Sequence, residues 1–134
     1  MRALKLVLAL SAGIVGFACM VTTASASHDP CKVLTAKKFS QIMGYAATIN
    51  KIASNQTNCY YNGPGSGGQF HILTENASPQ ADAMLNRRGS APPPGSGLIG
   101  GTYRQGSVIF AVSIQSNNQA KLQALVAEIR RNLR

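Results

Sequence analysis

The sequence predicts an α+β fold, in which a small antiparallel sheet of two hairpins carries an N-terminal and a C-terminal amphipathic helix on one face. Three observations lead to this prediction. Residues 107–115 alternate between strongly apolar and mixed side chains, as in a strand with one buried face. Residues 118–132 repeat apolar side chains at helical spacing. Turn-forming residues at 62–68 and 105–106 separate pairs of strand-like segments.

The first 26 residues are typical of a secretory signal peptide. A positively charged start precedes an apolar run over Leu6–Val21, and an Ala-Ser-Ala cleavage signal ends at Ala26. We therefore expect residues 1–26 to be removed on export. Residues 27–134 should then form a single periplasmic or secreted domain.

Two alternatives to cleavage are less well supported by the sequence. A retained membrane anchor would need about 20 apolar residues, and the uncharged run is shorter than that. A lipoprotein would be anchored through Cys19, but a glycine stands where lipoprotein signals carry a branched aliphatic residue. We therefore do not expect membrane anchoring through Cys19.

The exported chain would keep two cysteines, Cys31 and Cys59, in a compartment that oxidises thiols. Two such cysteines usually pair, so we expect one structural disulfide. A redox role would favour a C-x-x-C spacing, and a zinc site would need more ligands nearby. Neither pattern is present, and we expect no metal at these residues.

The first predicted element is a helix over Ala36–Met43. Thr35 can cap its start, and Gly44 can adopt the left-handed conformation that follows many helices. Leu34 and Phe39 have the spacing of a hydrophobic staple, in which a residue before the cap packs on the first turn.

The first hairpin is predicted from strands at Cys59–Tyr61 and Gln69–Thr74. The segment between them, 62–68, consists of turn residues and predicts a loose loop. Residues 45–56 are polar with scattered apolar side chains, and both an extended and an irregular conformation are open there.

A second helix of about ten residues is predicted to begin at Ser78-Pro79 and to end before Gly89. Residues 90–97 contain three consecutive prolines, which lack backbone donors, so we expect an exposed polyproline-like connection.

The second hairpin is predicted from strands at Gly101–Arg104 and Ser107–Gln115, and the second of these should lie inside the sheet. A final helix is predicted over Asn118–Asn132. Its apolar residues form a single stripe: Leu122, Leu125, Val126, Ile129 and Leu133.

Positive charge dominates the exported part of the chain, with eleven Lys and Arg against four Asp and Glu, a formal charge of +7. Such a surface attracts anionic lipid head groups, acidic glycans or wall polymers. The cations are scattered without interleaved aromatic residues, so we expect no nucleic-acid binding. Cations in the last turn of a helix also favour the helix dipole, which is a structural alternative. The candidate anion-binding residues are Lys37, Lys38, Arg87, Arg88, Arg130, Arg131 and Arg134.

Several short motifs carry a family resemblance. Asp29-Pro30-Cys31, Leu34-Thr35, Gly44 and Cys59-x-Tyr61 follow one another in the order seen in a family of small exported bacterial envelope domains, which the chain resembles over nearly its whole exported length. The resemblance implies a cysteine bridge from the first helix to the sheet. It also implies an exported, often lipid-anchored domain, mostly of unknown function.

Few residues are suited to catalysis. The whole chain has only four carboxylates and two histidines. The Gly63–Gly67 segment is out of register for a nucleophile elbow, with Pro64 where a glycine must turn the chain. No second metal ligand lies near His71, which should point to the second face of the sheet. We expect a non-enzyme with no catalytic residues and no cofactor.

Two classes of function are consistent with these features. The first is a non-catalytic module of the cell envelope that holds a protein or an anionic component through the exposed sheet face or the basic flank. The alternative is a carrier of a small apolar ligand in a pocket between helices and sheet, suggested by many aliphatic residues and few charges. An enzyme that uses Ser66 or His71 is a distant third.

Overall fold

A computed structural model describes residues 27–81, 92–93 and 95–134 of the chain. The predicted signal peptide and most of the helix predicted from Ser78-Pro79 lie outside the described residues. The described part has the predicted α+β fold, with an antiparallel sheet, helices at both ends and one disulfide. Its elements are α1 (Pro30–Val33), α2 (Ala36–Met43), β1 (Thr48–Ile49), β2 (Asn58–Gly63), β3 (Ser66–Thr74), β4 (Leu98–Gln105), β5 (Val108–Gln115) and α3 (Gln119–Asn132).

The strands form one sheet in the order β1-β2-β3-β5-β4, and all neighbours are antiparallel. β5 lies between β3 and β4, as its two-sided pattern predicted. The two hairpins meet where β3 pairs with β5, for example at Phe70 opposite Val112. This pairing joins the two halves of the chain into a single layer.

The first hairpin corrects the prediction of a loose loop at 62–68. β2 continues to Gly63 and β3 begins at Ser66, so that only Pro64 and Gly65 form the turn. Gly65 has a φ of 71°, a conformation that glycine adopts without a steric penalty, and proline favours the position before it. The remaining glycines of this segment belong to the strands because their backbone groups join the ladder.

The second hairpin also differs from the predicted bounds. Its turn is Gly106-Ser107, one residue later than predicted, with a φ of 59° at Gly106. β4 begins at Leu98 rather than at Gly101, because Gly100 and its neighbours pair in register with β5. Glycine is rare within strands, which explains why the sequence pattern placed the start too late.

Two short elements had no counterpart in the sequence prediction. β1 pairs with the end of β2 and occupies part of the segment whose conformation was open. α1 precedes α2; the Asp29 carboxylate caps it by accepting a hydrogen bond from the Cys31 backbone N–H at 3.0 Å, and Pro30 occupies its first turn.

The two longer helices agree with the prediction to within one residue. Thr35 Oγ1 accepts a hydrogen bond from the Lys38 backbone N–H at 3.2 Å, and Gly44 ends α2 in the left-handed conformation. Asn118 caps α3 in the same way, through Lys121. Both helices bury their apolar stripes against one face of the sheet, and the whole predicted stripe of α3 is buried.

The core lies between the helices and the covered face of the sheet. The Phe39 ring of α2 stacks on the Tyr61 ring of β2, with centroids 4.3 Å apart. Gly68 lies beside this stack, and a Cβ atom there would be 2.8 Å from Phe39 Cζ. A side chain at this position would therefore displace the ring. The covered face of β5 contributes Val108, Phe110, Val112 and Ile114, all buried.

The N-terminal segment is attached to the sheet by a covalent bond. Cys31 of α1 and Cys59 of β2 form the disulfide, with their Cα atoms 5.2 Å apart. Beside it, the buried Tyr61 hydroxyl donates a hydrogen bond to the Leu34 carbonyl oxygen. Burial, with a smaller contribution from the Asp29 charge, raises the pKa of Tyr61 above its ordinary value, so the phenol keeps its proton as a donor.

The disulfide should account for a large share of the stability. Replacing both cysteines (Cys31→Ser with Cys59→Ser) should lower the free energy of unfolding of residues 27–134 by about 3 to 4 kcal/mol, because a closed loop of this length restricts the unfolded chain. Denaturant unfolding measures the difference. A reductant should bring the wild-type protein down to the level of the variant, and equal stabilities without reductant would contradict the prediction.

The contact at Gly68 predicts a coupled pair of substitutions. Gly68→Ala should lower the free energy of unfolding by about 1 to 3 kcal/mol, because the new methyl group overlaps the Phe39 ring. In a Phe39→Leu background the same change should cost less, since the shorter side chain leaves room. A double-mutant cycle measured by denaturant unfolding tests this, and additive effects would contradict the contact.

Candidate functional site

The face of the sheet that points away from the described helices is here called the open face. Strand alternation brings two rows of side chains across it. One row runs from Tyr60 through Gln69 to Ser113, and the next runs from Asn58 through His71 to Ala111. None of these side chains belongs to the buried core. His71 therefore lies on the second face of the sheet, as its place in the strand predicted.

The open face contains two adjoining depressions, here called the sheet groove. One has a volume of about 350 Å³ and the other about 250 Å³, and both are lined by Gln69, Leu98 and Ser113. Pro92 and Pro93 also line the larger depression. The groove thus consists of two adjoining surface depressions over the sheet.

A hydrogen-bonded set of side chains fixes the centre of the groove. Gln69 Nε2 donates to Asn58 Oδ1 at 2.7 Å and to the Tyr60 hydroxyl at 3.1 Å. Both amide protons of Gln69 are thereby engaged, and its Oε1 is held in one orientation as an acceptor. The Tyr60 hydroxyl accepts from Gln69 and keeps its own proton to donate.

The sheet groove carries no formal charge at neutral pH among its described lining residues. Burial lowers the pKa of His71 below its ordinary value, so the imidazole is neutral at pH 7. A neutral imidazole has one donor and one acceptor nitrogen. The lining therefore offers hydrogen bonds of both kinds without attracting ions.

The described candidate cations lie outside the lining of the groove, and the structure brings only some of them together. Arg87 and Arg88 lie outside the described residues. Lys38 of α2 and Arg131 of α3 both lie near the Glu128 carboxylate, and Arg131 forms an ion pair with it.

Three further candidates are separate from that pair. Lys37 and Arg134 are exposed on the helix side of the molecule. The Arg130 guanidinium carbon lies 5.7 Å from the centre of the Tyr103 ring, a cation–π contact with β4. The structure therefore provides a basic helix side rather than one compact cluster of the predicted residues.

Ser66 and His71 do not form a catalytic pair. They are five residues apart on the same extended strand, which separates their backbone positions by about 17 Å at roughly 3.4 Å per residue. Among residues 27–81, 92–93 and 95–134, no group of three His, Cys, Asp or Glu side chains is arranged to hold a metal ion. No helix in this part of the chain combines the length and apolar character needed to cross a bilayer.

The sequence prediction did not single out the residues of the sheet groove. Asn58, Tyr60 and Gln69 are common polar residues, and only the strand register brings them together. The one signal was the small, mixed character of the second face of β5, at Ala111 and Ser113. Such small side chains indicate a shallow sheet surface, but they do not identify which residues of the neighbouring strands line it.

Comparisons with known proteins give no family for this chain: no family model, curated protein or solved structure matches it.

A separate polar contact ties the first described residues to the sheet. Glu75 Oε1 accepts a hydrogen bond from the His28 backbone N–H at 2.8 Å and also pairs with His28 Nδ1. Burial alone would raise the pKa of Glu75, but the hydrogen bonds and charge of His28 outweigh it and lower the pKa below its ordinary value.

This contact should make stability fall in acid. A carboxyl with a lowered pKa in the folded state stabilises the protein above its unfolded pKa, and this contribution is lost as the pH falls through the folded pKa. Glu75→Gln should therefore weaken the dependence of the unfolding free energy on pH below about 4.5. Denaturant unfolding at several acidic pH values measures this, and identical pH profiles for the two proteins would contradict the role of Glu75.

Proposed function

We propose that this chain is an exported, non-catalytic interaction module of the cell envelope that holds an anionic component of the envelope through its basic helix side. The single observation that carries the proposal is the engagement of the three described acids within the fold. The carboxylates of Asp29, Glu75 and Glu128 each bind a neighbouring group of the described structure. These acids are therefore occupied within the fold, whereas cations such as Lys37 and Arg134 remain exposed to an external partner.

The exposed cations lie where such a partner could reach them. Lys37 on α2 and Arg134 after α3 are exposed, and no described residue forms an ion pair with either. Arg131 is also exposed, although Glu128 holds one side of its guanidinium. Exposed charges of one sign attract an anionic polymer or surface over about a Debye length.

The alternative, a carrier of a small apolar ligand, receives less support. The space between the helices and the covered face is filled by side chains that are almost fully buried, including three phenylalanines. The depressions described on the sheet lie on its open face, away from this filled space, and mix apolar side chains with polar ones such as Gln69 and Ser113. The proposal therefore keeps its three parts, which are export, a non-catalytic role and an anionic partner.

Binding to vesicles provides the test. Residues 27–134 should bind phosphatidylglycerol vesicles more tightly than phosphatidylcholine vesicles, and a rise from about 50 to 500 mM salt should weaken the binding at least tenfold because the charges are screened. Co-sedimentation measures both effects. Binding that is equal for the two lipids, or unchanged by salt, would contradict an electrostatic partner.

A matched pair of variants tests the candidate residues. Lys37→Gln with Arg134→Gln should weaken vesicle binding several-fold more than Lys32→Gln with Lys51→Gln, which removes the same charge from other exposed positions. Equal losses would show that net charge alone governs binding and that the candidate residues form no site.

A further inference from the structure

We propose that the sheet groove binds an uncharged glycan strand. This inference goes beyond the proposed function, because the groove lies on the opposite face of the sheet from the basic helix side. The argument rests on the position of the groove, its charge, its hydrogen-bonding groups and its apolar surfaces.

The position of the groove determines how a ligand can be held there. Its floor is formed by β3 and β5, which are interior strands with neighbours on both sides. Their backbone groups are engaged in the sheet, so a peptide cannot bind there by adding a strand, as it would at a sheet edge. Recognition must go through side chains. The ligand must therefore present its own polar groups densely along its length.

The charge of the groove selects a neutral ligand. The exported chain carries a formal charge of +7, yet no described lining residue of the groove is charged at neutral pH. An anionic ligand would find no ion-pair partner among the described lining residues, whereas exposed cations such as Lys37 lie on the helix side. An uncharged polar ligand meets groups of matching character there.

The hydrogen-bonding groups match sugar hydroxyls. Gln69 Oε1 accepts, the Tyr60 hydroxyl donates, and Ser113 Oγ and the neutral His71 ring can each do both. No described protein group is hydrogen-bonded to the side chains of Ser113 and His71. A sugar hydroxyl is likewise both a donor and an acceptor, so successive hydroxyls can pair with this mixed set.

The apolar surfaces of the groove fit the carbon faces of a sugar ring. Leu98 is 40% exposed at the groove. Pro92 and Pro93 add apolar ring surfaces to the lining. The Tyr60 ring adds an aromatic surface. A groove with apolar walls and a few oriented polar groups is the usual composition of a small-molecule site.

A titration followed by NMR tests the proposal on residues 27–134. Chitotetraose and maltotetraose are the uncharged glycan probes, and a neutral Gly-Ser-Asn peptide of similar length is the competing class. At least one glycan should give saturable shifts of the backbone amides of Gln69, His71 and Ser113. Gln69→Ala should weaken that binding about tenfold, whereas Gln41→Ala, an exposed glutamine on α2, should leave it unchanged.

The outcomes separate this proposal from the proposed function. Absence of saturable shifts with both glycans would overturn the glycan assignment, as would shifts confined to residues outside the groove. Binding of the peptide alone at the groove would also overturn it. Gln69→Ala should not change binding to phosphatidylglycerol vesicles, so each proposal can fail while the other holds. The wild-type shift map needs no variant and stays informative if Gln69→Ala does not fold.

Discussion

The rest of this structure depends on the burial of one face of the sheet beneath α2 and α3. Side chains alternate along a strand, so covering one face commits every second residue to the core and places the others on the open face, where all but a few such as Ile109 keep some exposure. On β2, this rule separates two adjacent tyrosines. Tyr61 is 2% exposed and packs on Phe39, while Tyr60 lies on the open face beside Gln69. The same division leaves the sheet groove facing away from the helices.

A disulfide and two long-range hydrogen bonds then hold the helical layer in place over the sheet. The disulfide attaches α1 to β2, and Asn132 Nδ2 at the end of α3 donates to the Val33 carbonyl oxygen at 2.8 Å. Lys121 Nζ donates to the Met43 carbonyl oxygen at the end of α2, at 2.6 Å. Both contacts satisfy carbonyl groups that helix ends leave without partners. The molecule thus has a basic side formed by helices, and on the other side of the sheet a groove whose described lining carries no charge, which is why two different ligands are proposed.

Much of the fold could be predicted because its signals are local. The alternation in β5, the stripe of α3 and the cap of α2 each depend on residues close together in sequence. The turn at Pro64-Gly65 was missed because glycines on both sides resemble a loop, and only pairing with β2 shows that they belong to a strand. The sheet groove could not be predicted because Tyr60, Gln69 and Ser113 meet through strand register, which is a tertiary property.

The difference between the two adjacent tyrosines gives the most direct test of this account. Hydroxyl-radical footprinting of the folded, oxidised protein, read by mass spectrometry, compares the two rings without any substitution. The one-sided covering of the sheet predicts that Tyr60 is oxidised in the native state and that Tyr61 is protected until the protein unfolds. Equal oxidation of both rings in the native protein would contradict it, because the sheet would then lack a covered face.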